Sequence, residues 1–406
     1  MTYLPLKLLI LMMIADPTGE LNLTETNEVY VLIGEIVRYC IVALTLVIIS
    51  LSFAVSIFSR IRLERKLSYI LVSIFLILVY GIVVGLFNNV SLNVFNEALG
   101  VIPLLFIPVI LALKPKQQIM LGRFFLYSII IVCVVKFTLS QVEALLSYGV
   151  PTWKVLLRQS PLLIFPLCYL LIKVMHGEYR TRDIMLLLIT FTLILWAQAR
   201  ALNIALLLVV LILFIKFKVG AFKSTMIIAL VLLAGLLQGF VTGMDFDSVY
   251  GIWSGIHFKD TVDYRVVQSA ILLDRVIDFP TGVGFGYYTP GYLTYGDLAK
   301  PYQLELDLFN FGTKVGMVVF ILYLFTYIVF AKCVYRKYSR FGERELFNMS
   351  YSLLIFSLLI YSLFQTFHSS VLYWIAYALA FSFIASREPQ LPQAQRCQSP
   401  IADWRV

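Results

Sequence analysis

The sequence predicts an all-α fold: a polytopic transmembrane helix bundle of 11–12 spans with one large extracytoplasmic loop. Three observations lead there. Of 406 residues, 61% are hydrophobic and only 14% charged, and the mean hydropathy is +0.90. Apolar runs recur at a length of about 20 residues, which is what a helix needs to cross a bilayer. Basic loops alternate with neutral or acidic ones along the whole chain. Backbone groups in lipid must be satisfied internally, so the spans are helices, and no alternating strand pattern supports a barrel.

Residues 4–15 are apolar but short, contain Lys7 and are followed by Asp16-Pro17. They fit a short first span or an interfacial helix rather than a cleaved signal, because no small-x-small site follows. Residues 17–30 carry Glu20, Glu25 and Glu28 and no Lys or Arg, which suits the outer side. Spans follow at 35–58, 67–87, 94–113, 121–142, 158–175, 183–199, 201–217 and 224–243, and after the long loop at 308–331, 349–366 and 369–386. Residues 1–243 thus form an N-terminal transmembrane bundle, 244–307 an extracytoplasmic loop, 308–386 the C-terminal helices and 387–406 a Pro/Gln-rich cytoplasmic tail.

The charges set the orientation. Arg60, Arg62, Arg65 and Lys66 precede the second of these spans, and the next loop, Asn88 to Asn93, has no charge. Lys114, Lys116 and Arg123 form the next basic group, and the loop around Ser147–Thr152 is nearly neutral. Lys173, Arg180 and Arg182 come next, then Lys216, Lys218 and Lys223, and later Lys332, Arg336, Lys337, Arg340 and Arg344. Basic loops stay in the cytoplasm, so the 244–307 loop lies outside. Its four bases against nine acids agree with that side. The formal charge of +9 is therefore topological, and nucleic acid is not an expected partner.

Cys40, Cys133, Cys168 and Cys333 lie in spans or at a cytoplasmic end, and Cys397 is in the tail, so no structural disulfide is expected. There is no CxxC, and His176, His257 and His368 are scattered, so no metal or other cofactor is expected.

Ionisable groups inside spans are costly and tend to face a polar cavity or a partner. Glu35, Arg38, Lys136 and Arg200 are such groups, with Lys154 and Arg158 near the start of another span, and all lie toward the outer face. Glu35 and Arg38 are three apart and can pair with each other. Lys136 can snorkel to the interface, and Arg158 can meet lipid headgroups. Arg200 is the sharpest case. Trp196-Ala-Gln-Ala-Arg200-Ala-Leu-Asn203 separates two apolar runs with almost no loop. A purely structural turn would favour Gly, Pro or Asn, whereas a guanidinium there can grip phosphate with two parallel hydrogen bonds.

The long loop carries Tyr264-Arg265, then Pro280-Thr-Gly282-Val-Gly284-Phe-Gly286, then Tyr302-Gln-Leu-Glu305-Leu-Asp307. The glycine run follows no strand and opens no GKS/T motif, so it is a poor nucleotide site. Glycines that let the backbone turn tightly beside a glycan or phosphate fit better. Tyr287, Tyr288, Tyr292, Tyr295 and Tyr302 can stack on sugar rings or sit in the interfacial belt.

Taken together, the Ala-Gln-Ala-Arg200-Ala-Leu boundary, Tyr264-Arg265 and the Asp278-Phe-Pro280-Thr-Gly282-Val-Gly284-Phe-Gly286 stretch resemble the O-antigen ligase and O-antigen/exopolysaccharide polymerase superfamily of bacterial inner membranes. The resemblance covers roughly residues 183–330. It implies a metal-independent, inverting glycosyl transfer from an undecaprenyl-diphosphate-linked glycan, with membrane lipid and a chain-length regulator protein as further partners. Arg200 and Arg265 fall at the positions that serve the diphosphate. Lys136 and Arg158 would be supporting cations. Glu305 is the expected general base, with Asp307 second, and Tyr302, Gly284 and Gly286 are expected substrate contacts. The ligases place a His-Asn pair where this chain reads Tyr302-Gln303-Leu304-Glu305, a departure that favours a repeat-unit polymerase. A ligase acting on lipid A–core is the alternative. A flippase for the same lipid is weaker, because the cations gather at one face and no paired broken helices are evident.

Overall fold

The computed structural model describes residues 3–15, 65–89, 91–148, 159–197, 200–217, 268–287, 306–336, 342–363 and 370–385. The spans expected at 35–58 and 224–243, and most of the 244–307 loop, lie outside the described residues. Every regular element among the described residues is helical. In chain order these are α1 (Tyr3–Ala15), α2 (Arg65–Asn88), α3 (Ser91–Val101), a 3-10 turn (Ile102–Leu105), α4 (Phe106–Ala112) and α5 (Pro115–Tyr148). A second 3-10 turn (Ser160–Leu163) leads into α6 (Ile164–Met175), followed by α7 (Thr181–Trp196) and α8 (Arg200–Phe217). After a helical stretch over 268–278 come α9 (Asp307–Val315), α10 (Met317–Phe325), α11 (Tyr327–Tyr335), α12 (Glu343–Ser362) and α13 (Val371–Ala385).

Among the described residues, four stretches, Leu71–Asn88, Pro115–Val142, Met317–Tyr335 and Glu343–Ser362, are long and apolar enough to cross a membrane. Shorter apolar helices such as Ser160–Met175 and Val371–Ala385 accompany them. The chain is an all-α membrane protein. Its centre is α12 and α13, which pack on each other, with α6, α8 and α11 against α12 and α4 against α13. Nearly every residue of α13 is buried, as expected of a helix that is apolar all round. Serines enter this core because their hydroxyls find partners on their own helix: Ser350 and Ser357 each donate to the carbonyl four residues back, at 2.7 and 2.8 Å. Aromatic rings fill the remaining space. Phe165 and Tyr351 stack with centroids 4.2 Å apart, and Phe383 lies 4.9 Å from Tyr351.

Two expected spans are not single helices. The run 94–113 divides at the 3-10 turn, where Pro103 cannot donate to a helical ladder. The run 308–331 divides into α9, α10 and α11. Its first break is Gly316, held at φ +83°. The N-terminal helix α1 buries Leu6, Leu9, Ile10, Met13 and Ile14 against α5 and α13. Its Lys7 ammonium sits over the Tyr3 and Phe124 rings, 4.5 and 5.1 Å from their centroids.

One end of the bundle gathers the bases. Arg123, near the start of α5, makes a two-bonded contact to the carboxylate of Glu343, the first residue of α12. Lys173, at the end of α6, pairs with Asp183 at 2.9 Å. Lys216, at the end of α8, donates to the carbonyls of Val334 and Arg336 and so caps the end of α11.

Candidate functional site

The opposite end is organised by the segment 280–287, which is non-helical yet buried. Gly282, Val283, Gly284, Phe285 and Gly286 are all buried, and they lie between α2, α3 and α9. Non-helical backbone is tolerated at membrane depth only when protein satisfies its polar groups. Here it does. The amides of Val283 and Gly284 donate to the carbonyls of Thr313 and Lys314, at 3.1 and 3.0 Å, and Phe285 donates to Gly81 at 2.9 Å. The Asn89 side-chain amide donates to the carbonyls of both Val283 and Phe285, at 3.0 and 2.9 Å. The Tyr80 hydroxyl donates to the Thr281 carbonyl at 2.6 Å.

The alternating glycines make this docking sterically feasible. Gly282, Gly284 and Gly286 have φ of +96°, +82° and +73°, a region that L side chains avoid. A Cβ on Gly286 would lie 2.5 Å from the Val94 amide nitrogen, and one on Gly316 would lie 2.6 Å from the Thr281 carbonyl carbon. A Cβ on Gly284 would come closer still to the Gly85 backbone, and one on Gly85 to the Phe285 carbonyl oxygen. The close approach that these glycines permit is therefore to the chain's own backbone. The same contact explains the break at Gly316.

A buried ion pair completes the dock. Glu97 of α3 and Lys314 of α9 are 7% and 1% exposed and meet with Nζ to Oε1 at 2.5 Å. The other carboxylate oxygen of Glu97 accepts the amide of Gly286 at 2.7 Å. Two protein charges and one loop amide thus share one site, so neither charge is left uncompensated in a low-dielectric interior. Neither residue was among the ionisable groups singled out from the sequence. The signal was present, since both fall within the expected spans 94–113 and 308–331, where any charge calls for a partner.

Beneath the dock the contacts are aromatic and phenolic. Phe285 lies 6.2 Å from Phe311, which lies 5.1 Å from Tyr323. The buried hydroxyl of Tyr323 meets those of Tyr327 and Tyr373 at 2.9 and 3.0 Å, and Tyr377 donates to Thr326 at 3.0 Å. Beside the dock, on the helical stretch 268–278, Arg275 is buried with its guanidinium 4.7 Å over the Tyr287 ring. Tyr287 thus has a cation to hold.

The expected site residues are distributed as follows. Gly284 and Gly286 are in the dock. Asp307 opens α9, seven residues before Lys314, and is 1% exposed. An acid in the first turn suits the positive end of a helix. Lys136 is half-buried in the second half of α5. Arg200 is the first residue of α8, an 18-residue helix whose Lys216 is fixed at the basic end. At about 1.5 Å per residue, α8 carries Arg200 some 25 Å from that end, to the end of the bundle that holds the dock. Arg158, Arg265, Tyr302 and Glu305 lie outside the described residues.

Compared with protein-family models, curated proteins and solved structures, the chain matches none.

Proposed function

We propose that the protein polymerises undecaprenyl-diphosphate-linked oligosaccharide repeat units into O-antigen or exopolysaccharide at the outer face of a bacterial inner membrane. The observation that carries this reading is the dock. The Pro-Thr-Gly-Val-Gly-Phe-Gly segment of the resemblance is fixed to the bundle end opposite the basic one, and Arg200 heads α8 at that same end. In sequence, Glu305 falls between two anchored points, 280–287 and Asp307, and Arg265 stands three residues before the helical stretch 268–278 that leads into the dock.

In the proposed reaction an acceptor hydroxyl attacks the anomeric carbon of the donor. The bond from that carbon to the diphosphate oxygen breaks, and the configuration inverts. Arg200 and Arg265 stabilise the negative charge that builds on the leaving diphosphate, which is worth most where water is excluded. Lys136 and Arg158 are supporting cations. The acceptor's proton passes to Glu305, with Asp307 as the second carboxylate.

The test is Arg200→Ala and Arg265→Ala in a strain that makes long surface polysaccharide. Each should shorten the chains to core plus one repeat unit at normal protein levels. Normal chain lengths from both well-expressed variants contradict the arginine roles. A deletion that leaves bare core and carrier-linked glycan would instead indicate ligation to lipid A–core.

A further inference from the structure

Gln159 sits immediately before the 3-10 turn that opens α6, and it is fully buried. Among the described residues, neither its side-chain nitrogen nor its side-chain oxygen has a hydrogen-bond partner. The side chain does not cap its own helix, although the residue occupies the capping position. Its carbonyl is used, accepting the Leu162 amide at 2.9 Å, so the orphaned groups belong to the carboxamide alone. Leaving a buried carboxamide unpaired at both ends is costly, and such groups are rare in folded proteins.

The position gives this group a setting. Lys173, near the other end of α6, is fixed to Asp183 at the basic end. Fourteen residues separate Lys173 from Gln159, about 20 Å at helical rise, so Gln159 lies toward the end that holds the dock. The turn after it packs against α5, α7 and α12. Because α7 runs back from Asp183, its Trp196 end lies beside this turn, and α8 begins just beyond it with Arg200.

The chemistry selects the ligand. A carboxamide offers two donors and an acceptor oxygen. A phosphate would satisfy only the donors. A sugar hydroxyl both accepts and donates, so it can satisfy both ends of the side chain. We infer that Gln159 is a substrate-contacting residue whose carboxamide binds hydroxyls of the sugar next to the diphosphate of the lipid-linked donor. This rests on the glycan-transfer reading above and adds to it a residue that reads the sugar, toward the end of the bundle at which α8 begins with Arg200.

The experiment compares the full-length protein in nanodiscs with Gln159→Leu, and with Gln159→Met as a second apolar replacement of similar size. Two probes are used: carrier-linked glycan extracted from the host strain lacking this protein, and undecaprenyl diphosphate without sugar. Apolar replacement removes an unsatisfied group, so the melting temperature of the ligand-free protein should hold or rise. Affinity for the glycan-bearing lipid should fall roughly tenfold, the scale of one or two lost hydrogen bonds, while affinity for the bare carrier stays unchanged. Unchanged glycan affinity in both variants overturns the inference and leaves the functional reading standing. A lower melting temperature with unchanged affinity also overturns it, because the carboxamide then has a structural partner such as a buried water. If the wild-type protein binds neither lipid, the functional reading itself fails, and the inference with it.

Discussion

The two ends of the bundle each hold a lysine or arginine against a glutamate, in opposite surroundings. At the basic end, Arg123 and Glu343 meet with side chains 55% and 27% exposed. At the dock, Glu97 and Lys314 meet with side chains 6% and 2% exposed, and the carboxylate also holds the Gly286 amide. Water screens the first pair and can replace either partner. The second has no such substitute, and its charges stay buried only because each satisfies the other. Exposure, more than charge type, therefore decides which contact the architecture depends on.

Backbone contact separates the ends further. At the basic end, long flexible side chains reach across gaps. At the dock, main chain meets main chain through Gly85, Gly284 and Gly286. The largest expected effect follows from this. Gly284→Val should leave no folded protein, because the branched side chain meets both a forbidden φ and the backbone of Gly85. Size-exclusion profiles of the solubilised variant check this, and a monodisperse peak with wild-type melting would break the contrast.

Next comes Glu97→Ala. Removing one partner of a buried pair strands the other, so the variant should lose about 3–5 kcal/mol. Glu97→Gln keeps an acceptor for the Gly286 amide and should lose less. Equilibrium unfolding in detergent measures both, and equal losses would mean that the Gly286 bond contributes nothing. The smallest effect is expected at the basic end, where Arg123→Ala should cost no more than about 1 kcal/mol in the same assay. A loss there as large as that of Glu97→Ala would erase the difference between the ends.

Hydropathy and loop charge made much of this fold readable. The expected span 67–87 is α2 over Arg65–Asn88, and 201–217 is α8 over Arg200–Phe217. The division of 308–331 was not readable, because Gly316 sits in an apolar run and its φ is set by the distant backbone of Thr281. The site was readable in part. Glycine spacing marked 282–286 as needing special backbone conformations, but not what the backbone would approach. That depends on Gly81 and Gly85, roughly 200 positions earlier. Glu97 and Lys314, 217 residues apart, carry no local sign that they meet. Gln159 is an ordinary polar residue until its burial is known.

Hydrogen exchange tests the docked loop most directly. Full-length protein in nanodiscs, exchanged in deuterated buffer and digested, reports the amides of Val283, Gly284, Phe285 and Gly286. All four donate to protein acceptors, so they should exchange as slowly as the amides of α12. Exchange of these four within seconds, at the rate of an open loop, would contradict the dock and with it the anchoring proposed for the stretch that carries Glu305.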